Sequence, residues 1–401
     1  MEKHRYTVSA ILSAEVAAAR IEGILRTDAA LGRLWRSSMS LVEAAASVGL
    51  EDVRLTEAAI IMKLTRSLTT DIDARGADLA NRLMRIMKRP GDIQADPVRS
   101  MRRIESAAAP IGIAAEHDQR PDDTEIMAMR DSAERFRHSP ILSGLVASAT
   151  YAMLSHRLSP AAERLVFMEY EGNARRLWQS TVHKDGFDDP QFMTAYADWI
   201  VAPSTALTHQ GFRIWSPLRE SSLVDFIHLV ARQLSRELGT LGIMREELSR
   251  LRQMKSSGRG RSRISDLVDL IELNPILSSS LVIDRLAVTR KTALALIGEC
   301  EAAGVLVNFT GRRVARLWAT PSFAARMVHD ARDGRRPGRT RPAGPAPDKT
   351  DREHLGGGGE LPEFDEDRLN RVLDELSQAM SGMDEVLGQI GRRSRELRGE
   401  D

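Results

Sequence analysis

Between Arg263 and Thr320 the spacing of apolar positions changes character, and that change is the most informative feature of the chain. Ile264, Leu267, Val268, Leu270 and Ile271 recur at helical spacing and stop at Asn274-Pro275, a helix terminator. Residues 280–286 make a second short helix. Thr289 suits the N-cap of a third, which runs through Leu294, Ile297 and Cys300 to Ala303 and ends at Gly304, a natural left-handed stop. The pattern then alternates. VLVNF and RVARLWA are rich in β-branched and aromatic residues and flank Thr310-Gly311-Arg312, so a two-stranded hairpin is expected.

Three helices and a hairpin in this order are the plan of a winged helix-turn-helix. Such a domain presents the N-terminal turn of its third helix to the major groove of double-stranded DNA. Thr289, Arg290, Lys291 and Thr292 fall in that turn, off the apolar stripe. Arg312 and Arg313 would sit on the wing tip and Arg316 beyond it, supplying the cations that phosphate contacts need. Small winged domains also act as dimerisation or protein-docking modules, and arginines on a hairpin can be a solvated face. Docking therefore stands as the alternative to DNA binding.

The remainder reads as helix after helix. Residues 6–36 form an Ala-rich amphipathic helix or helix pair, with Val8, Ile11, Leu12, Val16, Ile21, Ile24 and Leu25 expected inside. Helices follow over 38–50, 57–71, 73–88 and 98–108, the last within a Pro-broken stretch from 90 to 122. Asp122-Asp123-Thr124 opens the next. HSPILSGLVASATYAMLSHRL is nearly continuously apolar and should be the central buried helix of its domain, and Ser159-Pro160 starts another. Lys184–Pro190 carries clustered acids that read as a solvated turn rather than a metal site. Residues 190–203 and 217–254 are helical again, the second leading into the basic SSGRGRSR segment.

Composition narrows the picture. Aromatic residues make up 4% of the 401 positions, which with abundant Ala, Leu, Arg and Glu favours a mainly α protein. Lys+Arg number 57 against 56 Asp+Glu, which excludes a histone-like coating protein and makes any basic surface local. The single cysteine, Cys300, falls on an apolar helix face and reads as core. No Cys/His spacing suits zinc, so neither metal nor cofactor is expected. No segment approaches a membrane span, and a cytoplasmic, soluble protein is expected.

Residues 331–360 are rich in Gly, Pro and Arg, with hardly any apolar side chains, and read as a disordered linker. Beyond it Leu369, Leu373, Leu376, Met380, Met383, Leu387 and Ile390 alternate spacings of 4 and 3, a heptad seam suited to a homodimeric coiled coil. An amphipathic helix folding back on its own chain would show the same seam. The organisation expected is thus a helical domain over 1–255, a winged domain over 256–325, a linker over 326–360 and a heptad helix over 361–401.

The order of pieces resembles the Fic (filamentation induced by cAMP) family. EAAASVGLEDVRLT (Glu43–Thr56) resembles its inhibitory-helix segment, with Ser47 and Glu51 on the S-x-x-x-E spacing. FMEYEGNAR (Phe167–Arg175) stands where the signature H-P-F-x-D-G-N-G-R would lie. In the family the His is a general base, the acid holds magnesium, and the G-N-G turn opens a helix whose N–H groups cradle phosphates clamped by the Arg. Glu171, Gly172, Asn173 and Arg175 match acid, Gly, Asn and Arg, whereas Phe167 replaces the His and Ala174 the second Gly. The resemblance implies a Fic-like helical scaffold without adenylylation, with a vestigial anion site at the four matching residues. A nucleotidyl transferase with a substituted base is the enzymatic alternative. The chain also resembles rhizobial plasmid- and symbiosis-island-borne proteins of unknown function that carry a C-terminal helix-turn-helix, which implies a bacterial transcriptional regulator.

Overall fold

The structure, a computed structural model, describes residues 2–51, 53, 55–64, 71–88, 90–109, 120–155, 159–175, 220–257, 263–310 and 316–325. Over these residues the protein is mainly helical, with one small three-stranded sheet near the end. The acidic turn at 184–190, the helix expected over 190–203, the linker and the heptad seam lie outside the described residues.

The N-terminal stretch divides into α1 (Glu2–Thr27) and α2 (Ala29–Leu50) at Asp28, whose carboxylate accepts the Leu31 N–H at 3.1 Å and so sets where α2 begins. The buried face of α1 is built from Ala10, Ile11, Ala14, Ala18, Ile21 and Leu25. Leu12 and Val16, expected inside, are 46% and 47% exposed. Alanines occupy the contact line instead, because a narrow face lets the long helix α9 (Glu220–Ser257) pack close along α1.

Next come α3 (Glu57–Leu64), α4 (Asp71–Lys88), α5 (Pro97–Ala108), α6 (Asp123–Glu134), α7 (Pro140–Leu154) and α8 (Pro160–Arg175). Local chemistry marks their starts. Asp96 caps α5 ahead of Pro97, and Asp122 with Glu125 forms a reciprocal capping box on α6. The apolar run of α7 is buried almost all round, as its composition demands. It packs on α8 at very short range. A Cβ on Gly144 would stand 2.6 Å from the Phe167 carbonyl oxygen, so only glycine fits there. Arg164 of α8 and Glu43 of α2 meet as an ion pair wholly inside this core, at 0% and 1% side-chain exposure.

α9 then carries the chain to a C-terminal unit. Phe226, Ile227, Val230, Leu234, Leu241, Met244, Leu248 and Leu251 line one side of it at helical spacing. After residues 258–262, which lie outside the described set, come α10 (Ile264–Leu273), β1 (Ile276–Ser278), α11 (Ser279–Leu286), α12 (Arg290–Ala302), β2 (Val307–Asn308) and β3 (Leu317–Ala319). The expected hairpin of two strands is a sheet of three, in the antiparallel order β1-β3-β2, with Leu277 opposite Trp318 and Val307 opposite Ala319. Three residues are too short to show alternation, so β1 gave no period of its own. The boundary expected at 255/256 falls in the last turn of α9, which packs against both α1 and α10.

Removing Glu43 takes away the carboxylate that pairs with the fully buried Arg164 guanidinium. Glu43→Ala is expected to lower stability by about 3–5 kcal/mol, while the double change Glu43→Leu with Arg164→Met recovers most of that loss. Urea unfolding of the parent and the two variants checks it, and equal losses in the single and double variants would contradict it.

Candidate functional site

The turn between α11 and α12 is tight. α11 closes on Ala287, the one non-glycine residue with positive φ among the described residues (φ 49°, ψ 47°), whose N–H returns to the Ile283 carbonyl. Two residues on, the Thr289 hydroxyl accepts the Thr292 N–H at 3.2 Å and meets the Thr292 hydroxyl at 2.9 Å. This pair fixes the first turn of α12 and leaves Arg290 and Lys291 as its first two helical residues.

Four positions hold α12 down. Ala293, Leu296, Ile297 and Cys300 are buried at i, i+3, i+4 and i+7. The opposite face carries Arg290, Lys291, Leu294, Ala295 and Gly298, all exposed, with Leu294 at 40%. Leu294, expected on the apolar stripe, therefore faces outward. Arg290 and Lys291 make no ion pair within the described residues. Both cations stand where the helix dipole is already positive, and an anion at that end would meet the open N–H groups of the first turn. Gly298 has nothing within 4 Å of a would-be Cβ, so packing does not require a glycine there.

The sheet lies beside this helix pair. Asn308 Oδ1 accepts from both the N–H and the hydroxyl of Thr310, at 3.1 and 2.9 Å, and the Leu317 N–H returns to Thr310 Oγ1 at 3.3 Å. Arg316 is exposed at the mouth of β3, while Arg312 and Arg313 lie outside the described residues. Trp318 is buried in the middle of the sheet. Cys300 is buried too, and desolvation pushes its thiol up to about 12, which makes it core rather than nucleophile.

The residues carried by the Fic resemblance sit elsewhere. Ser47 is buried in α2. Glu51 accepts from the Ser159 hydroxyl at 3.2 Å and the Ala161 N–H at 3.3 Å, and so holds the N-terminus of α8. Glu171, Gly172, Asn173 and Arg175 occupy the other end of that helix, about 15–21 Å from Ala161 along its axis at 1.5 Å per residue. They lie inside one continuous helix rather than at the opening of one. Asn173 donates its amide to the Glu169 carbonyl at 2.8 Å, and Arg175 pairs with Glu171 at 2.5 Å and Glu15 at 3.5 Å. Phe167, at the position of the family's base, is fully buried edge-on to Phe226 at 5.4 Å. The surroundings are acidic: burial pushes the Glu171 carboxyl up to about 7 against the pull of Arg175, with Glu15 and Glu22 raising it further. These groups would repel an anion more than hold one. No group of three or more metal-ligating side chains occurs among the described residues.

No family model matches the chain, and no curated protein matches it either. The site is therefore read from its own geometry. It adds Leu294 and Ala295 to the face that sequence reasoning chose, and the signal was present: a four-residue buried stripe from Ala293 to Cys300 already excludes both.

Two outcomes follow from this geometry. The folded Glu171 binds its proton up to about pH 7, against an ordinary value of 4.5, so the native state holds more protons across that window. Stability should fall as pH rises from about 4.5 to 7, and Glu171→Gln should flatten the fall in denaturation series across that range. A slope unchanged by the substitution would contradict it. Separately, Ala287→Gly should raise stability by about 0.5–1 kcal/mol, because it relieves a left-handed alanine that has no packing to lose. A thermal-unfolding comparison with the parent measures this.

Proposed function

We propose that residues 264–319 are a winged helix-turn-helix that binds double-stranded DNA, and that the protein is a transcriptional regulator rather than an enzyme. The observation that carries the reading is the exposed face of α12, with its cationic, unpaired first turn. The element order helix, strand, helix, helix and antiparallel strand pair supports it, as does the three-residue turn from Ala287 to Thr289 joining the two middle helices. In this reading α12 enters the major groove. Arg290 and Lys291 reach base edges or phosphate at its N-terminal end, Thr289 and Thr292 hold that end in shape, and Leu294 and Ala295 meet thymine methyl groups. Arg316 lies on the backbone beside the groove, with Arg312 and Arg313 preceding it in sequence.

The heptad seam from Leu369 to Ile390 supports a homodimer that presents two such helices to two half-sites. The helical body before α9 is taken as a non-catalytic scaffold or sensor. Phe167 offers no titratable group where the Fic signature has its base, and the Arg175 guanidinium is already engaged by Glu171 and Glu15. A nucleotidyl transferase is for these reasons not carried forward.

Arg290→Ala with Lys291→Ala tests the reading in the full-length protein. Binding to a selected duplex should weaken by at least about 1–3 kcal/mol, and the slope of log K against log salt should shrink by about one for each lost phosphate contact. Unchanged affinity and slope across a salt titration would remove α12 from the interface and favour a protein-docking role for the domain.

A further inference from the structure

α4 and α5 form a helical hairpin whose shared groove is lined by five arginines: Arg82 and Arg85 from α4, and Arg99, Arg102 and Arg103 from α5. Its free volume is about 420 Å³, and Ile86 and Ala107, both nearly buried, contribute an apolar floor. Arginines three and four residues apart on one helix face repel, as do those facing them across a hairpin. Such a cluster does not arise from helix stability alone. Two carboxylates lie beside it: Glu105, which is buried and accepts from Arg102 at 2.9 Å, and Asp123, which is exposed and accepts from Arg102 at 3.1 Å. With Arg103 left out of the count, Arg82, Arg85, Arg99 and Arg102 still outnumber these two carboxylates.

The five side chains are not equivalent. Arg82 is fixed by donating to the Ser106 and Ala109 carbonyls at 3.2 and 2.7 Å, which closes the C-terminus of α5. Arg102 is fixed by its two carboxylates and the Pro121 carbonyl at 2.8 Å. Their guanidiniums thus hold position before any ligand arrives, which lowers the ordering cost of binding. Arg85 and Arg99 are exposed and make no ion pair within the described residues. Two cations already held in position, two free ones beside them and an apolar floor suit a small ligand with several adjacent phosphates, each of which a planar guanidinium fork can grip through two N–H groups.

We infer that the α4–α5 groove is a binding site for a small polyphosphate-bearing ligand, of the chemical class of inorganic triphosphate or a nucleoside triphosphate. The volume falls in the range of small-molecule sites, and the groove is open to solvent along its length. The site does not depend on the DNA-binding reading, since none of its residues belongs to the C-terminal unit. It gives the helical body a ligand to sense.

Isothermal titration of the full-length protein at near-physiological salt tests it, with inorganic triphosphate, ATP and orthophosphate as probes. Triphosphate should bind measurably and orthophosphate far more weakly. Tighter binding of ATP would identify the nucleoside form as the source, and equal binding the phosphate chain alone. Arg85→Gln with Arg99→Gln removes only the two free cations, leaves the bonds of Arg82 and Arg102 intact, and should weaken triphosphate at least about tenfold. Arg290→Ala with Lys291→Ala should leave triphosphate binding unchanged, which separates this site from the DNA reading. No triphosphate binding, or the same affinity in the groove variant, would overturn the proposal. So would a groove variant that lost duplex affinity alone, which would assign the arginines to a DNA backbone.

Discussion

The arrangement depends on how α9 is held. A helix of 38 residues is about 57 Å long, too long to be buried by one small partner. Its apolar stripe therefore has to be covered in sections. α1 and α2 cover one part through faces rich in alanine and leucine, and α10 covers the end nearest the sheet. Arg252 marks the junction. Its guanidinium donates to both carboxylate oxygens of Asp28 at 3.0 Å and to Glu272 at 2.8 Å, so one side chain touches the cap of α2 and the end of α10. The shared bonds hold Asp28 below its usual range and raise Arg252. On a half-exposed side chain such bonds add little stability, and their effect is to fix orientation. Glu247 does the same lower down, accepting from the N–H and hydroxyl of Ser322 at 2.6 Å.

A consequence is that the C-terminal unit does not hang from a tether. Its helices share a hydrophobic core with the body, and the exposed face of α12 is presented from that support. A ligand held by the α4–α5 groove would act on a body in which α4 packs on α2, and α2 packs on both α9 and α10. That chain of contacts offers a physical route between groove and α12 face, through packed helices rather than a linker.

Much of the fold was legible in the residues. Local caps placed the starts of α6, α8 and α12, because Asp122, Ser159 and Thr289 each bond the backbone within three residues. A nearly continuous apolar run identified α7, and helical period the stripe of α10. Long-range packing was less legible. Leu12 and Val16 look like core by hydrophobicity, yet alanines make the contact, since closeness of approach to α9 rather than side-chain size decides that face. β1 is too short to carry a period and exists because β3 offers it a ladder. The EGNAR segment suggested an opening helix, but Phe167 and its neighbours continue α8 without a break, and that follows from burial against α7 rather than from the motif. The arginines of the groove come from two helices, and only their juxtaposition reveals them as one surface.

If the C-terminal unit binds DNA as proposed, near-neutral net charge confines the attraction to a small surface, so sequence selectivity rather than bulk charge is the feature to measure. Selection of the full-length protein against random duplex DNA at near-physiological salt tests the central claim most directly. The account expects enrichment of a defined site, with paired half-sites if the heptad seam dimerises the chain. Binding that stays weak, salt-sensitive and without sequence preference would contradict a DNA-reading α12.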